Sequence, residues 1–159
     1  MLESGKEEKV FNTICSVFEK KKWKYEKNRE KLYVKSGFSS KDFPVEFSLR
    51  IHTKNELVSL VSKLPFQIEE KKRTDIAIAV AVANQHLIDG AFLYDVENGV
   101  ISFKLTSNYK DSTLGEGLFE FVIACALKTI DDYNDKFYLI SKGMLELKEF
   151  MQAEKRKRG

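Results

Sequence analysis

The stretch "RTDIAIAVAVANQHLIDGAF", residues 73–92, admits two readings, and the choice between them decides the layout of the chain. Ile76, Ile78, Val80 and Val82 alternate with Ala77, Ala79, Ala81 and Ala83, the period-2 pattern of a strand with one buried face. Ile76, Val80, Ala83 and Leu87 also recur at helical spacing, and alanine is the strongest helix former. The flanks decide between them. Glu69 and Glu70 stand where the first turn of a helix favours acids, Gly90 is a helix terminator, and a hairpin opens at Ala91. The reading is therefore a helix through Leu87 that closes at Gly90. Its alanines let it lie close to a sheet while Ile76, Val80 and Leu87 fill the core.

Downstream, "AFLYDVENGVISFKL" (91–105) reads as a hairpin, because Glu97-Asn98-Gly99 supplies positive-φ turn chemistry between two alternating runs. Upstream, "VEFSLRIHT" (45–53) turns Val45, Phe47, Leu49 and Ile51 one way and Glu46, Ser48, Arg50 and His52 the other. "NELVSLVSKLP" (55–65) fits helical spacing as well, but its length and the Lys54-Asn55 turn before it favour a hairpin partner ending at Pro65. A strand over Lys31–Phe38 follows a short extended segment around Trp23 and Tyr25. The first element is a helix over Lys6–Lys22, with Val10, Phe11, Ile14, Cys15, Val17 and Phe18 as its apolar stripe.

From Ser112 a helix with two apolar stripes runs to about Asp131, then "KFYLISKG" forms a short apolar segment. An amphipathic helix carrying Met144, Leu147, Phe150 and Met151 leads into the basic tail Lys155–Arg158. The expected class is α+β: an antiparallel sheet of about five strands with helices packed on one side, in the order α-β-β-β-α-β-β-α. Residues 1–143 form one domain, and 144–159 add the C-terminal helix and tail.

With 159 residues, 43% hydrophobic and 32% charged, the chain suits one globular core. No apolar run approaches the roughly 18 residues of a membrane span. "MLESGKEEKV" carries acids where a signal peptide needs basic and apolar residues, which gives the expectation of a cytoplasmic protein. Cys15 and Cys125 each fall in an apolar stripe, and the expectation is two reduced core thiols. Charge is uneven: net +5 over 1–41, −1 over 42–110, −4 over 111–150 and +3 over the last nine residues. A basic front and an acidic back can attract each other, or another copy.

Catalytic signatures are missing. His52 lies on the outward face of a strand and His86 near a helix end, so they do not form a pair. Gly115, Glu116 and Gly117 follow no strand with phosphate-loop spacing, and Glu116 would repel phosphate. Asp131, Asp132 and Asp135 lack the spacing of a calcium loop. No cofactor or metal is expected. Asn84 can use both donor and acceptor of its carboxamide on the backbone of the following hairpin, holding the helix-to-strand turn.

"NQHLIDGAFLYDVENGVISF" (84–103), "LPFQIEEKKR" (64–73) and "DDYNDKF" (131–137), together with the element order, resemble the YbjN family over about residues 6–142. Its members are described as candidate bacterial sensory transduction regulators. The marks that carry the resemblance are Asn84, Gly90, Asp95, Gly99 and Phe103. It implies a fold like that of type III secretion chaperones, which bind polypeptides and often dimerise. The expectation is thus a non-enzymatic protein-binding module, a regulator or chaperone-like adaptor, with an unknown protein or peptide partner and no membrane. Phe119, Ile123, Ile130, Met144, Leu147, Phe150 and Met151 are the candidates for a homodimer or partner interface, because a helix apolar on two sides asks for cover beyond one sheet. The alternative is a nucleic-acid-associated regulator using Lys20–Lys24 and Lys155–Arg158, which the modest overall charge makes the weaker reading.

Overall fold

The deciding stretch folds as a helix. A computed structural model describes residues 5–157. Its elements are α1 (Lys6–Lys20), β1 (Glu26–Asn28), β2 (Tyr33–Phe38), β3 (Val45–His52), β4 (Leu57–Gln67), a 3-10 turn (Glu70–Lys72), α2 (Arg73–Asn84), β5 (Ala91–Asp95), β6 (Val100–Asn108), α3 (Glu116–Ser141) and α4 (Leu147–Arg156). In α2 the buried side chains are Ile76, Ala79, Val80 and Ala83, a helical stripe, while Ile78 is 41% exposed. The alternation of the sequence is therefore not an alternation of burial. α2 stops at Asn84 rather than Leu87, because the Gln85 and His86 amides tighten onto Val82 and Ala83 carbonyls.

One antiparallel sheet of six strands runs in the order β1-β2-β3-β4-β6-β5. The sixth strand, β1, comes from the segment after Trp23 and Tyr25. Asn28 Oδ1 accepts the Lys31 amide at 2.8 Å, and Leu32 takes a positive φ of 51°, so the chain reverses and lays Glu26–Asn28 on β2. β4 continues past Pro65 to Gln67. The register against β6 shifts between Lys63 and Gln67, and proline is tolerated where the ladder is interrupted.

α3 is ten residues longer than the expected helix at its C-terminal end, reaching Ser141, and absorbs "KFYLIS". Asp131-Asp132 sits inside it. Lys128 bonds Asp132 one turn on at 2.9 Å, Ser40 Oγ donates to Asp131 at 2.6 Å, and the buried stripe continues through Tyr133, Phe137 and Ile140. The true end is Gly143, with φ 71°: the Gly143 amide bonds the Ile140 carbonyl and the Met144 amide the Leu139 carbonyl, a Schellman closure. α4 begins at Leu147, three residues after Met144.

The inward rows, such as Val34–Leu49–Leu60–Leu105 and Phe92–Phe103, are buried on β2 to β6, while the short edge strand β1 stays exposed. α1 packs on β2 and β3, α3 on β4 and β6, and α2 on β5, with α3 touching both α1 and α2 and α4 touching α2. All four helices thus cover the same face. Phe150 of α4 is 1% exposed and meets Tyr133 and Phe137, so the C-terminal helix shares this core.

Candidate functional site

Helices on one face leave the other face of the sheet uncovered. Its residues are the outward positions of each strand, and the register fixes which of them are neighbours. One row runs Glu26–Lys35–Ser48–Val61–Lys104–Ala91 across all six strands. The next runs Asn28–Tyr33–Arg50–Ser59–Thr106. On the other side, Lys63 pairs with Ser102, which pairs with Leu93. The centre of the face is therefore hydroxyl-rich, with Ser48, Ser59, Ser102 and Thr106 between long cations.

None of the ion pairs among the described residues uses Lys35, Arg50, Lys63 or Lys104. Lys35 and Arg50 instead share one ring, 5.2 and 5.3 Å from the centroid of Tyr33. Of the acids on this face, Asp95 belongs to the hairpin turn. It accepts the Asn98 amide at 3.1 Å and the Asn98 carboxamide at 2.7 Å, and these bonds hold its carboxyl below the usual value. Glu26, opposite Lys35 on the edge strand β1, and Glu46 on β3 line the groove without entering an ion pair among the described residues.

Two open grooves follow the face. One, of about 660 Å³, runs between Lys24, Lys35, Ser48, Val61 and Lys63; the second, of about 530 Å³, continues past Pro65 to Val100. They share Glu46 and Lys63, so the pair forms one trough. On the same face, His52 Nε2 and Ser59 Oγ are 2.7 Å apart. Among the described residues no carboxylate bonds the other His52 ring nitrogen, and no three or more His, Cys, Asp or Glu side chains group as metal ligands. The arrangement suits recognition of an extended chain by hydrogen bonds and charge.

The marks of the resemblance lie elsewhere, at the far end of the sheet. Asn84 Nδ2 donates to the Phe92 carbonyl at 3.0 Å and its Oδ1 accepts the Phe92 amide at 2.8 Å. The carboxamide thus bonds the edge strand β5 as a neighbouring strand would. Gly90, at φ 76°, has room for no side chain: a Cβ would stand 2.6 Å from Phe103 Cζ and 2.8 Å from the Lys104 carbonyl. Gly99, at φ 67°, passes the Ile68 backbone so closely that a Cβ would collide with its carbonyl oxygen, and its own carbonyl accepts the Ile68 amide at 2.8 Å. Phe103 is buried against Phe92. These residues build the hairpin and do not touch the trough.

The candidate interface is corrected by burial. Phe119, Ile123, Ile130 and Phe150 are at most 1% exposed within the single chain, because α1, α2 and the sheet cover these positions of α3 and α4 turns Phe150 onto the same core. Leu147 and Met151 pack against the same core half-buried, and Met144 alone stands out, at 72% exposed. The basic cluster is also partly engaged. Lys20 bonds Glu116 at 2.7 Å and Lys21 lies 3.6 Å from Glu120, so the basic front and the acidic back meet within the chain. Lys20 and Ser16 together hold the Glu116 carboxyl below its usual value. Trp23 packs edge-on against Phe18 and Phe38, and Tyr25 lies tilted against Phe18, so both half-buried rings are engaged with the core.

Lys157 pairs with Glu154 at 2.7 Å, while Arg158 lies outside the described residues. Cys15 and Cys125 are buried and unpaired. No described helix is long and apolar enough to cross a membrane. No protein-family model matches the chain, and no curated protein matches it.

Proposed function

We propose that the protein is a non-enzymatic, cytoplasmic binding module, a regulator or chaperone-like adaptor of YbjN type, that receives a polypeptide segment of a partner on the open face of its sheet. The observation that carries this reading is the uncovered face itself: all four helices pack on one side, and the other presents a trough lined by unpaired cations and hydroxyls. An antiparallel sheet with one face free is a platform that a partner segment can cover by side-chain contacts. The arrangement of β2, β3, β4, α2, β5, β6 and α3 after α1 supports the resemblance in outline, with β1 and α4 as additions to the expected order.

The test is comparative. Val61→Glu places an acid in the trough and Ser102→Glu one beside Lys63 on the same face, without entering the core, since both positions are outward. A partner captured by the unaltered protein is expected to be lost from this variant while its melting temperature holds. Equal capture by both would overturn the reading.

A further inference from the structure

We infer that the segment received on this face is acidic and extended, with carboxylates about four residues apart that lie on Lys35 and Lys104; this rests on the proposed binding face and names its ligand chemistry. Lys35, Ser48, Val61 and Lys104 are consecutive neighbours across β2, β3, β4 and β6. At ~4.8 Å between strands, the two lysines stand roughly 14 Å apart, and an extended chain advancing ~3.4 Å per residue covers that distance in about four residues. Ser48 lies between them with a hydroxyl that both donates and accepts, matching peptide groups, and Val61 offers a short apolar step. Lys63, two residues along β4 and shared by both grooves, offers a third cation to a segment that drifts along the trough.

Charge complementarity decides for acid. Lys35, Arg50, Lys63 and Lys104 enter no ion pair among the described residues and outnumber Glu26, Glu46 and Asp95, the acids at outward positions of the same strands, while Lys24 adds a further cation at the groove. The same face argues for peptide over nucleic acid. Tyr33, already flanked by Lys35 and Arg50, and Tyr25, tilted against Phe18, are the tyrosines beside the trough, so a row of open rings for successive bases is not presented.

The experiment is fluorescence anisotropy on the full chain at low salt. The probes are a labelled extended peptide of about eight residues, enough to cross the sheet, with glutamates four apart in a Ser/Thr background, its glutamine counterpart, and an oligothymidine of equal charge. The glutamate peptide is expected to bind, to weaken with salt, and to lose about tenfold in affinity in the triple variant Lys35→Gln, Lys63→Gln, Lys104→Gln. The control Lys155→Gln, Arg156→Gln is expected to leave it unchanged. Circular dichroism checks that these exposed substitutions leave the fold intact. Equal binding of the glutamine peptide, abolished by Val61→Glu, would overturn the acidic assignment and leave the binding face standing. Tighter binding of oligothymidine would also overturn it, in favour of nucleic acid. Glutamate-peptide binding indifferent to the triple variant and to Val61→Glu would overturn the face itself, and no binding of any probe would overturn the inference.

Discussion

Asn84→Ala removes the two bonds that hold β5 to the end of α2, at 2.8 and 3.0 Å. Each bond contributes about 1 kcal/mol net, and leaving the Phe92 amide unpartnered adds about 1 kcal/mol. Alanine recovers part of this, about 0.5 kcal/mol, as the better helix former at the last residue of α2. The net loss is about 2.5 kcal/mol, which in a domain of this size lowers the melting temperature by roughly 5–10 °C. Urea unfolding followed by far-UV circular dichroism reads it. Asn84→Asp keeps an acceptor for the Phe92 amide but sets a carboxylate oxygen against the Phe92 carbonyl. It should be no better than alanine at neutral pH and should regain stability as acid protonates that carboxyl, because the protonated form donates in place of the lost amide. A loss under about 0.5 kcal/mol for Asn84→Ala would refute the reasoning and leave the carboxamide without a structural task.

Gly99→Ala should cost more than Asn84→Ala, because the left-handed conformation alone costs about 1–2 kcal/mol and the Ile68 carbonyl obstructs the new Cβ; an unchanged unfolding midpoint would contradict the close approach. Phe119→Ala should destabilise by about 3–5 kcal/mol without altering association, since the ring fills the chain's own core; sedimentation and urea unfolding together distinguish this from an interface role. The Tyr133 phenol is pushed up by burial and by its 2.7 Å bond to Glu154, and Tyr25 by burial and Glu19. Their folded values lie above the unfolded value of about 10, so the stability they add is complete below that pH and is lost as pH rises through the folded values. Absorbance at the phenolate band should therefore rise together with loss of ellipticity in strong alkali, and the early phase of this loss should change in Tyr133→Phe. Ionisation of every tyrosine well before unfolding would contradict it.

Local pattern read much of this fold. The alternation of Val45, Phe47, Leu49 and Ile51 appears as buried and exposed sides of β3, and the flanks of residues 73–92 led correctly to a helix despite their period-2 composition. Errors arose where local polarity stood for structure. Asp131 and Asp132 read as a helix end, but Ser40 and Lys128 bond them in the middle of α3. The double apolar stripe of α3 read as a call for a second molecule, because the sequence does not reveal that α1, α2 and the sheet converge on it. The role of Asn84 was legible because its partner lies only eight residues away. The trough was not. Lys35, Lys63 and Lys104 are visible as outward positions, yet their adjacency depends on β6 entering between β4 and β5, a long-range pairing that no local pattern encodes.

The uncovered face is tested most directly by titrating isotope-labelled protein with the glutamate peptide and following backbone amide shifts. The account predicts changes concentrated on Lys35, Ser48, Val61, Ser102 and Lys104, with α2 and α4 silent. Changes confined to the helical layer around Ile78, Phe121 and Met144 would contradict it.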